Sequence, residues 1–368
     1  MRYYIIAGEA SGDLHGSNLV KAIHRQDTNA TIHCWGGDKM EAAGATVIKH
    51  YRELAFMGFV EVITHLPTIF RNISFCKKDV LAFRPDVLVL IDYPGFNLRI
   101  AAWARQQGIK VVYYISPQVW AWKEKRVVQI KRDVDKMLVI LPFEVDFYKK
   151  WDFDVTYVGH PLIEVVGYEK EKVPATPLSD KPIIALLPGS RAQEIKVKLP
   201  VMLEMTTRFP QYSFVVAQAP SLPDALYQDI IGNRKVVLAK GNTYNLLKQA
   251  AAGLITSGTA TLETALFGLP QVVCYKGNAL SFWLATKLVN VKYISLVNLI
   301  MDKPVVTELI QNDLTPDKLE AALTRLLTDT AYRTELQHDY KTLWDRLGSS
   351  NASDNAAREI LEVAAATR

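Results

Sequence analysis

The chain has 368 residues, 49% hydrophobic and 22% charged, which excludes wholesale disorder and leaves room for two domains with their own cores. A formal net charge of +5, mixed in sign, gives no argument for nucleic acid as a partner and fits an anionic substrate or an anionic membrane surface. No apolar run approaches the roughly 18 residues of a membrane span, and no signal peptide precedes the first strand-like run, so a cytoplasmic or membrane-peripheral protein is expected.

The first apolar run, Tyr3–Ala7, ends in Gly8-Glu9-Ala10-Ser11-Gly12-Asp13, and a helical pattern with Leu14, Leu19, Val20 and Ile23 follows. This strand–turn–helix places its loop at the carboxyl end of a strand, where open α/β sheets bind ligands. Gly8 and Gly12 allow close backbone approach, and Ser11 or Asp13 is expected to cap the helix. The string is not the G-x-G-x-x-G dinucleotide fingerprint. Further on, Phe56 to Ile73 holds more apolar residues than one helical face needs. Partly exposed, it would enter a bilayer or hold acyl chains; buried, it is core.

Apolar runs at Thr31–Trp35, Val87–Ile91, Val111–Ile115, Met137–Leu141 and Val155–Val158 alternate with helix-period segments such as Ile100–Gln107 and Val127–Asp133. That alternation implies βαβ units and a parallel sheet. Asp92 follows the third of the strand-like runs, on the same edge as Glu9 and Asp13. Burial or nearby carboxylates would raise its pKa and suit it to take a hydroxyl proton; a turn or helix cap is the plainer role. Trp120 and Trp122 stand beside Lys123, Lys125, Arg126, Lys131 and Arg132. They read either as an interfacial or phosphate-binding surface or as core aromatics beside a solvated basic helix. His160 lines an interdomain cleft or is structural. Cys34, Cys76 and Cys274 lack metal spacing and read as buried reduced thiols.

The stretch Tyr168–Pro182 is charged, proline-rich and aperiodic, which marks a linker between domains at 1–167 and 183–340. Strand-like runs then resume at Ile183–Leu187, Ser213–Ala217, Lys235–Leu238, Gly253–Thr256 and Gln271–Tyr275. From Thr315 on the pattern is helical, with 341–368 expected to pack back on an N-terminal domain. The expected fold is therefore α/β, two doubly wound Rossmann-like domains with a helical C-terminal segment.

Two loops of the second half read either as phosphate-binding loops or as plain helix starts, the first a capped helix with a solvated arginine and the second a Ser/Thr-rich N-terminus with a favourable glutamate. In Pro188-Gly189-Ser190-Arg191-Ala192-Gln193-Glu194, Ser190 and Gln193 have capping-box spacing. Arg191 in the first turn is disfavoured by roughly 0.3–1 kcal/mol unless an anion binds there. In Ser257-Gly258-Thr259-Ala260-Thr261-Leu262-Glu263, small residues and free N–H groups suit a diphosphate, and Glu263 suits ribose hydroxyls.

Taken together, AGEASGD at 7–13, D-x-P-x-F-N at 92–97, SP-x-VWAW at 116–122, PFE-x-x-FY at 142–148, VGHPL at 158–162, LLPGSR-x-x-E at 186–194, SGTATLE at 257–263 and VVCYK at 272–276 resemble the lipid-A-disaccharide synthase family over nearly the whole chain. The resemblance implies GT-B architecture, with two domains facing across a cleft. It also implies inverting transfer of a diacylated glucosamine from its UDP derivative to the 6-hydroxyl of a diacylglucosamine 1-phosphate. By the same resemblance, Asp92 and Arg191 are the catalytic residues. Glu9, Gly12, Asn97, Gly189, Ser190, Ser257, Gly258, Thr259, Thr261, Glu263, Tyr275 and Asn298 bind substrate. No cofactor or metal is implied; a homodimer at the inner face of a Gram-negative cytoplasmic membrane is.

The chain departs from the family pattern at Gly95, where many members carry a second acidic residue, and at Leu296-Val297-Asn298-Leu299, which lacks the usual proline. Another UDP-sugar GT-B enzyme, an epimerase or a non-catalytic UDP-lipid-binding protein shares the outline, but the first two do not explain AGEASGD together with VWAW. For the non-catalytic reading Gly95 is the only sequence hint.

Overall fold

The alternating apolar runs form two separate parallel sheets, each in its own unit. The computed structural model describes residues 1–54, 66–173, 177–278, 292–348 and 351–366. One unit is Met1–Pro161 with Ser349–Arg368; the other is Leu162–Gly348.

In the first unit the elements run β1 (Arg2–Ala7), α1 (Ala10–Gln26), β2 (Thr31–Gly36), α2 (Asp38–Ala42), β3 (Thr46–His50), α3 (Leu66–Phe83), β4 (Val87–Ile91), α4 (Pro94–Gln106), β5 (Val111–Tyr114), α5 (Val119–Trp122), α6 (Arg126–Asp133), β6 (Lys136–Val139), α7 (Phe143–Lys149) and β7 (Thr156–Tyr157). The sheet order is β3-β2-β1-β4-β5-β6-β7, all parallel. Alternate residues of β1 enter different cores. Tyr4 and Ile6 pack with Leu88, Leu90 and Tyr113, whereas Tyr3, Ile5 and Ala7 pack with Val87, Val89 and Ile91. Both faces of the sheet are covered, which is why its strands read as unbroken apolar runs.

The second unit contains α8 (Pro161–Glu171), β8 (Ile183–Leu187), α9 (Ala192–Leu203), α10 (Met205–Arg208), β9 (Ser213–Gln218), α11 (Asp224–Ile231), β10 (Val236–Lys240), α12 (Thr243–Gln249), β11 (Ala250–Thr256), α13 (Thr259–Leu266), β12 (Gln271–Tyr275), α14 (Leu296–Met301), β13 (Thr307–Ile310), α15 (Pro316–Thr328) and α16 (Thr330–Arg346). Its sheet order is β10-β9-β8-β11-β12-β13, again parallel. The last helix, α17 (Ala352–Ala365), belongs to the first unit. Its Ala356, Ala357, Ile360 and Ala364 join the core that holds Leu19, Val20 and Ile23 of α1, and Asn355 Nδ2 donates to the Val158 carbonyl at 3.1 Å.

Some boundaries fall elsewhere than composition indicates. Tyr168–Glu171, expected to open the linker, form the last turn of α8. Buried Leu162, Ile163 and Val166 anchor that helix, and Lys248 Nζ donates to the Glu169 and Lys172 carbonyls at 2.8 and 3.2 Å, satisfying its C-terminal end. At the other boundary, α16 stays with the second unit through Arg346, so only α17 returns to the first. Two strands, β3 and β13, have no counterpart among the expected runs. Both lie at sheet edges and are mostly half-buried, so their sequences carry no continuous apolar stretch.

Candidate active site

The strand order of each sheet reverses once, between β1 and β4 in the first unit and between β8 and β11 in the second. The crevice outside the carboxyl ends at such a switch point is where open α/β sheets take ligands. The register brings Ala7 beside Ile91 and Leu187 beside Ile255, so the loops that follow these strands are neighbours within each unit.

At the first switch point the backbone after β4 is strained. Asp92 and Tyr93 both have positive φ, 43° and 49°. Non-glycine residues held there cost on the order of 1–3 kcal/mol each. The turn is held by the Asp92 carbonyl, which accepts from Tyr113 Oη at 2.5 Å and from Asn97 Nδ2 at 2.7 Å; the same amide reaches the Ile91 carbonyl at 3.2 Å. Asn97 is fully buried, so its side chain supports the turn from below. Gly8 is required by the same turn: a Cβ there would come within 2.3 Å of the Tyr93 ring.

The Asp92 carboxyl is half-buried, and burial, followed by repulsion from Glu9, pushes its pKa up to about 6. A carboxylate of that strength remains ionised near neutrality and is a better proton acceptor than an ordinary aspartate. Glu9 is exposed at the N-cap of α1, and its side chain makes no cap hydrogen bond. Capping by Ser11 or Asp13 does not occur. Asp13 is buried and its carboxylate accepts from the Gly37, Lys39 and Met40 N–H groups at 2.7–3.2 Å, which caps α2 and commits the carboxylate to the backbone of this unit. Gly12 is buried against Ala7, where a Cβ would sit 3.1 Å from the Ala7 Cβ; it brings α1 close to β1. Around Gly95 an added Cβ meets nothing within 4 Å, so the missing second acid reflects no steric demand.

The tryptophan pair divides. Trp120 is buried edge-on against Phe143 at 4.9 Å, whereas Trp122 is exposed beneath Lys123 Nζ at 3.8 Å. His160 is buried, and desolvation with a neighbouring His15 pushes its pKa down to about 3, so it is a neutral imidazole at physiological pH. All three cysteines are buried thiols.

At the second switch point two helices begin without side-chain caps. Arg191, not Ser190, is the N-cap residue of α9, and a guanidinium cannot accept hydrogen bonds from the first-turn N–H groups. Gly258 is the N-cap of α13, with no side chain to offer. Exposed Ser190, Arg191, Gly258 and Thr259 thus surround two positive helix ends. Gly189 has φ +117° and lies over the Glu194 carboxylate, where a Cβ would be 2.4 Å from Oε2.

Several expected contact residues are committed to this unit's own structure. The Ser257 hydroxyl donates to the Ile294 carbonyl at 3.0 Å, and the buried Thr261 hydroxyl donates to the Gly258 carbonyl at 2.8 Å. Asn298 is buried; its amide nitrogen donates to Val306 and Glu308, and its oxygen accepts from the Val306 N–H. Glu308 also accepts from the Ile294 and Ser295 N–H groups, so Asn298 and Glu308 fix the segment against which Ser257 rests. Glu263 is half-buried, its pKa raised by burial, and it accepts from Tyr244 Oη at 2.8 Å. Tyr275 is half-buried at the end of β12.

Tyr93, Tyr113, Tyr244 and Glu308 escaped the sequence reading, since each acts through a partner distant in sequence or on an unexpected strand. Lys198 escaped it although Glu194 stands one turn before it, because spacing alone does not show that the lysine is buried.

Among the described residues no helix is long and apolar enough to cross a membrane. The segment 55–65, most of the apolar stretch beginning at Phe56, lies outside the described residues; farther along, α3 exposes Phe70 and Phe75.

A family model described as lipid-A-disaccharide synthetase matches residues 3–361. A lipid-A-disaccharide synthase from Geobacter metallireducens is 38% identical over 98% of this chain and 97% of its own length. One from Syntrophus aciditrophicus is 39% identical over 96% and 95%. Among solved structures, the UDP-GlcNAc 2-epimerase from Neisseria meningitidis bound to UDP-GlcNAc superposes with a TM-score of 0.70 at 14% identity, covering 98% of this chain and 100% of that one. The glycotransferase of kitacinnamycin gives 0.66 at 16%, covering 98% and 99%. These structural likenesses show a shared fold.

Proposed function

The chain belongs to the lipid-A-disaccharide synthase family and is a glycosyltransferase that joins UDP-2,3-diacylglucosamine to 2,3-diacylglucosamine 1-phosphate, and we propose that its two switch points divide the work of that reaction. The products are the β-1,6-linked disaccharide 1-phosphate and UDP. In a single inverting displacement the acceptor 6-oxygen attacks the donor anomeric carbon while the bond from that carbon to the diphosphate oxygen breaks. Asp92 accepts the hydroxyl proton. Arg191, with the N–H groups opening α9 and α13, holds the diphosphate as negative charge gathers on it. Glu9 tunes Asp92 and orients acceptor hydroxyls, while Glu263 and Tyr275 contact the nucleotide–sugar. Gly12, Asn97, Ser257, Thr261 and Asn298 serve as supports that keep these groups in place, whereas Gly189, Ser190, Gly258 and Thr259 present backbone to the diphosphate.

The observation that carries this reading is the contrast in chemistry: a carboxyl lifted toward neutrality at one switch point, an arginine and two helix starts without side-chain caps at the other. Incubating the chain with both substrates and a chelator tests it. We expect UDP and disaccharide in equal amounts; no UDP release would overturn the reading.

Association with the inner membrane surface and dimerisation are part of the same proposal. Exposed Phe70 and Phe75 on α3 support the first, as large apolar side chains left open to solvent. In liposome flotation, Phe70→Ser is expected to reduce recovery with lipid; unchanged recovery of both proteins in the aqueous fraction would remove membrane docking.

A further inference from the structure

We propose that Lys198 is a positioning residue that holds the Glu194 carboxylate so that Arg191 is free to bind the donor diphosphate. The proposal rests on the functional reading above and adds to it the device by which the loop stays electropositive.

Lys198 lies two turns into α9, and its side chain is 2% exposed. A lysine is seldom buried this completely without close pairing. Here its ion-pair partner is Glu194, with Nζ 3.8 Å from Oε2, beyond hydrogen-bonding distance. So loose a pair is a poor source of stability for a buried charge. Burial pushes the ammonium pKa down and Arg191 adds to that, while Glu194 opposes it. The position makes sense through what Glu194 does. Side chains of a helix lean toward its N-terminus, so Lys198 reaches back toward the first turn. Glu194 sits directly under Gly189, closer to the loop backbone than any substituted residue there would allow. Its other oxygen is 3.5 Å from Arg191 Nη1, and the arginine side chain is 67% exposed.

Two cations therefore share one carboxylate, leaving the loop with one net positive charge. When a diphosphate arrives, Arg191 turns from Glu194 to the ligand. Without a second cation, Glu194 would either keep Arg191 or stand uncompensated beneath the bound phosphates. Lys198 removes both problems without touching substrate.

Titration calorimetry of UDP on the full chain tests this, with wild type, Lys198→Met, Glu194→Gln and the double variant. Methionine fills the lysine volume without the charge. We expect Lys198→Met to weaken UDP binding about tenfold or more, and Glu194→Gln in that background to restore it to within about twofold of wild type. A lysine that only packs would lower the melting temperature without changing UDP affinity, or would give a loss that Glu194→Gln does not rescue; either result overturns the proposal. Should Lys198→Met fail to fold, the double variant, which removes both charges, is expected to fold and bind UDP, and its failure to bind would overturn the proposal. If wild type itself does not bind UDP, the functional reading falls and this proposal with it. If wild type binds and Lys198→Met binds equally well, only the lysine's role falls.

Discussion

In the first unit the strands at the switch point, β1 and β4, lead into Glu9 and Asp92; in the second, β8 and β11 lead into Arg191 and a glycine–hydroxyl loop. The backbone plan is the same in both: a parallel sheet covered on its faces, with two adjacent loops at the point of reversal. The charge is opposite. The first loop pair raises the pKa of a carboxyl, and the second opens helix N-termini beside a cation. On the proposed function, one fold builds a site for accepting a proton and a site for holding an anion, and only the few residues after each strand decide which.

The largest test of this contrast is Asp92→Asn, which tolerates the positive φ and removes the proposed base. Turnover is expected to fall about 10²- to 10⁴-fold. Wild-type activity should rise with pH through about 6, as Asp92 loses its proton, and the variant's residual rate should be flat there. Because Asp92 binds its proton more tightly folded than unfolded, ionisation costs stability above pH 6, by about 3 kcal/mol if the whole shift is counted. The variant should therefore melt higher than wild type at pH 8 while turning over far more slowly. Loss of activity accompanied by lower stability would point to a structural aspartate.

Arg191→Ala is expected to cost about 10²-fold in kcat/KM, since it removes one charged donor from a developing diphosphate. Steady-state kinetics with varied donor check this, and an unchanged value would move the anion site elsewhere. The effect should shrink at high salt, because the arginine is exposed.

A smaller effect concerns Glu144, buried in the first unit, whose carboxyl burial pushes up to about 7 although it accepts from the Leu141 N–H at 3.0 Å. Its folded pKa lies above the unfolded one, so its stability cost appears as pH rises from about 4.5 to 7 and is complete above that. The integrated cost is about 3 kcal/mol. Glu144→Gln keeps an acceptor for Leu141 and should flatten the decline in melting temperature between pH 5 and 8. Equal declines in both proteins would show that Glu144 stays ionised throughout.

Much of this was legible in the sequence because it is local. Strands buried on both faces show as apolar runs, and loops after them show as glycine and capping residues. The edge strands β3 and β13 were hidden because each pairs on one side only and keeps polar residues. Side-chain commitments were hidden for another reason. Asp13 looks like a ligand-facing acid until Gly37, 24 residues on, takes its carboxylate. Asn298 looks like a nucleotide contact until Val306 and Glu308 account for its amide. Motif spacing marked the loops but could not show which of their side chains the fold itself engages, as it does Asp13, Ser257, Thr261 and Asn298.

The division of labour is tested most directly by UDP calorimetry on Asp92→Asn and Arg191→Ala side by side. Asp92→Asn should bind UDP within about twofold of wild type while Arg191→Ala binds at least about tenfold more weakly. If Asp92→Asn loses as much UDP affinity as Arg191→Ala, the proton site and the diphosphate site are not separate, and the account is wrong.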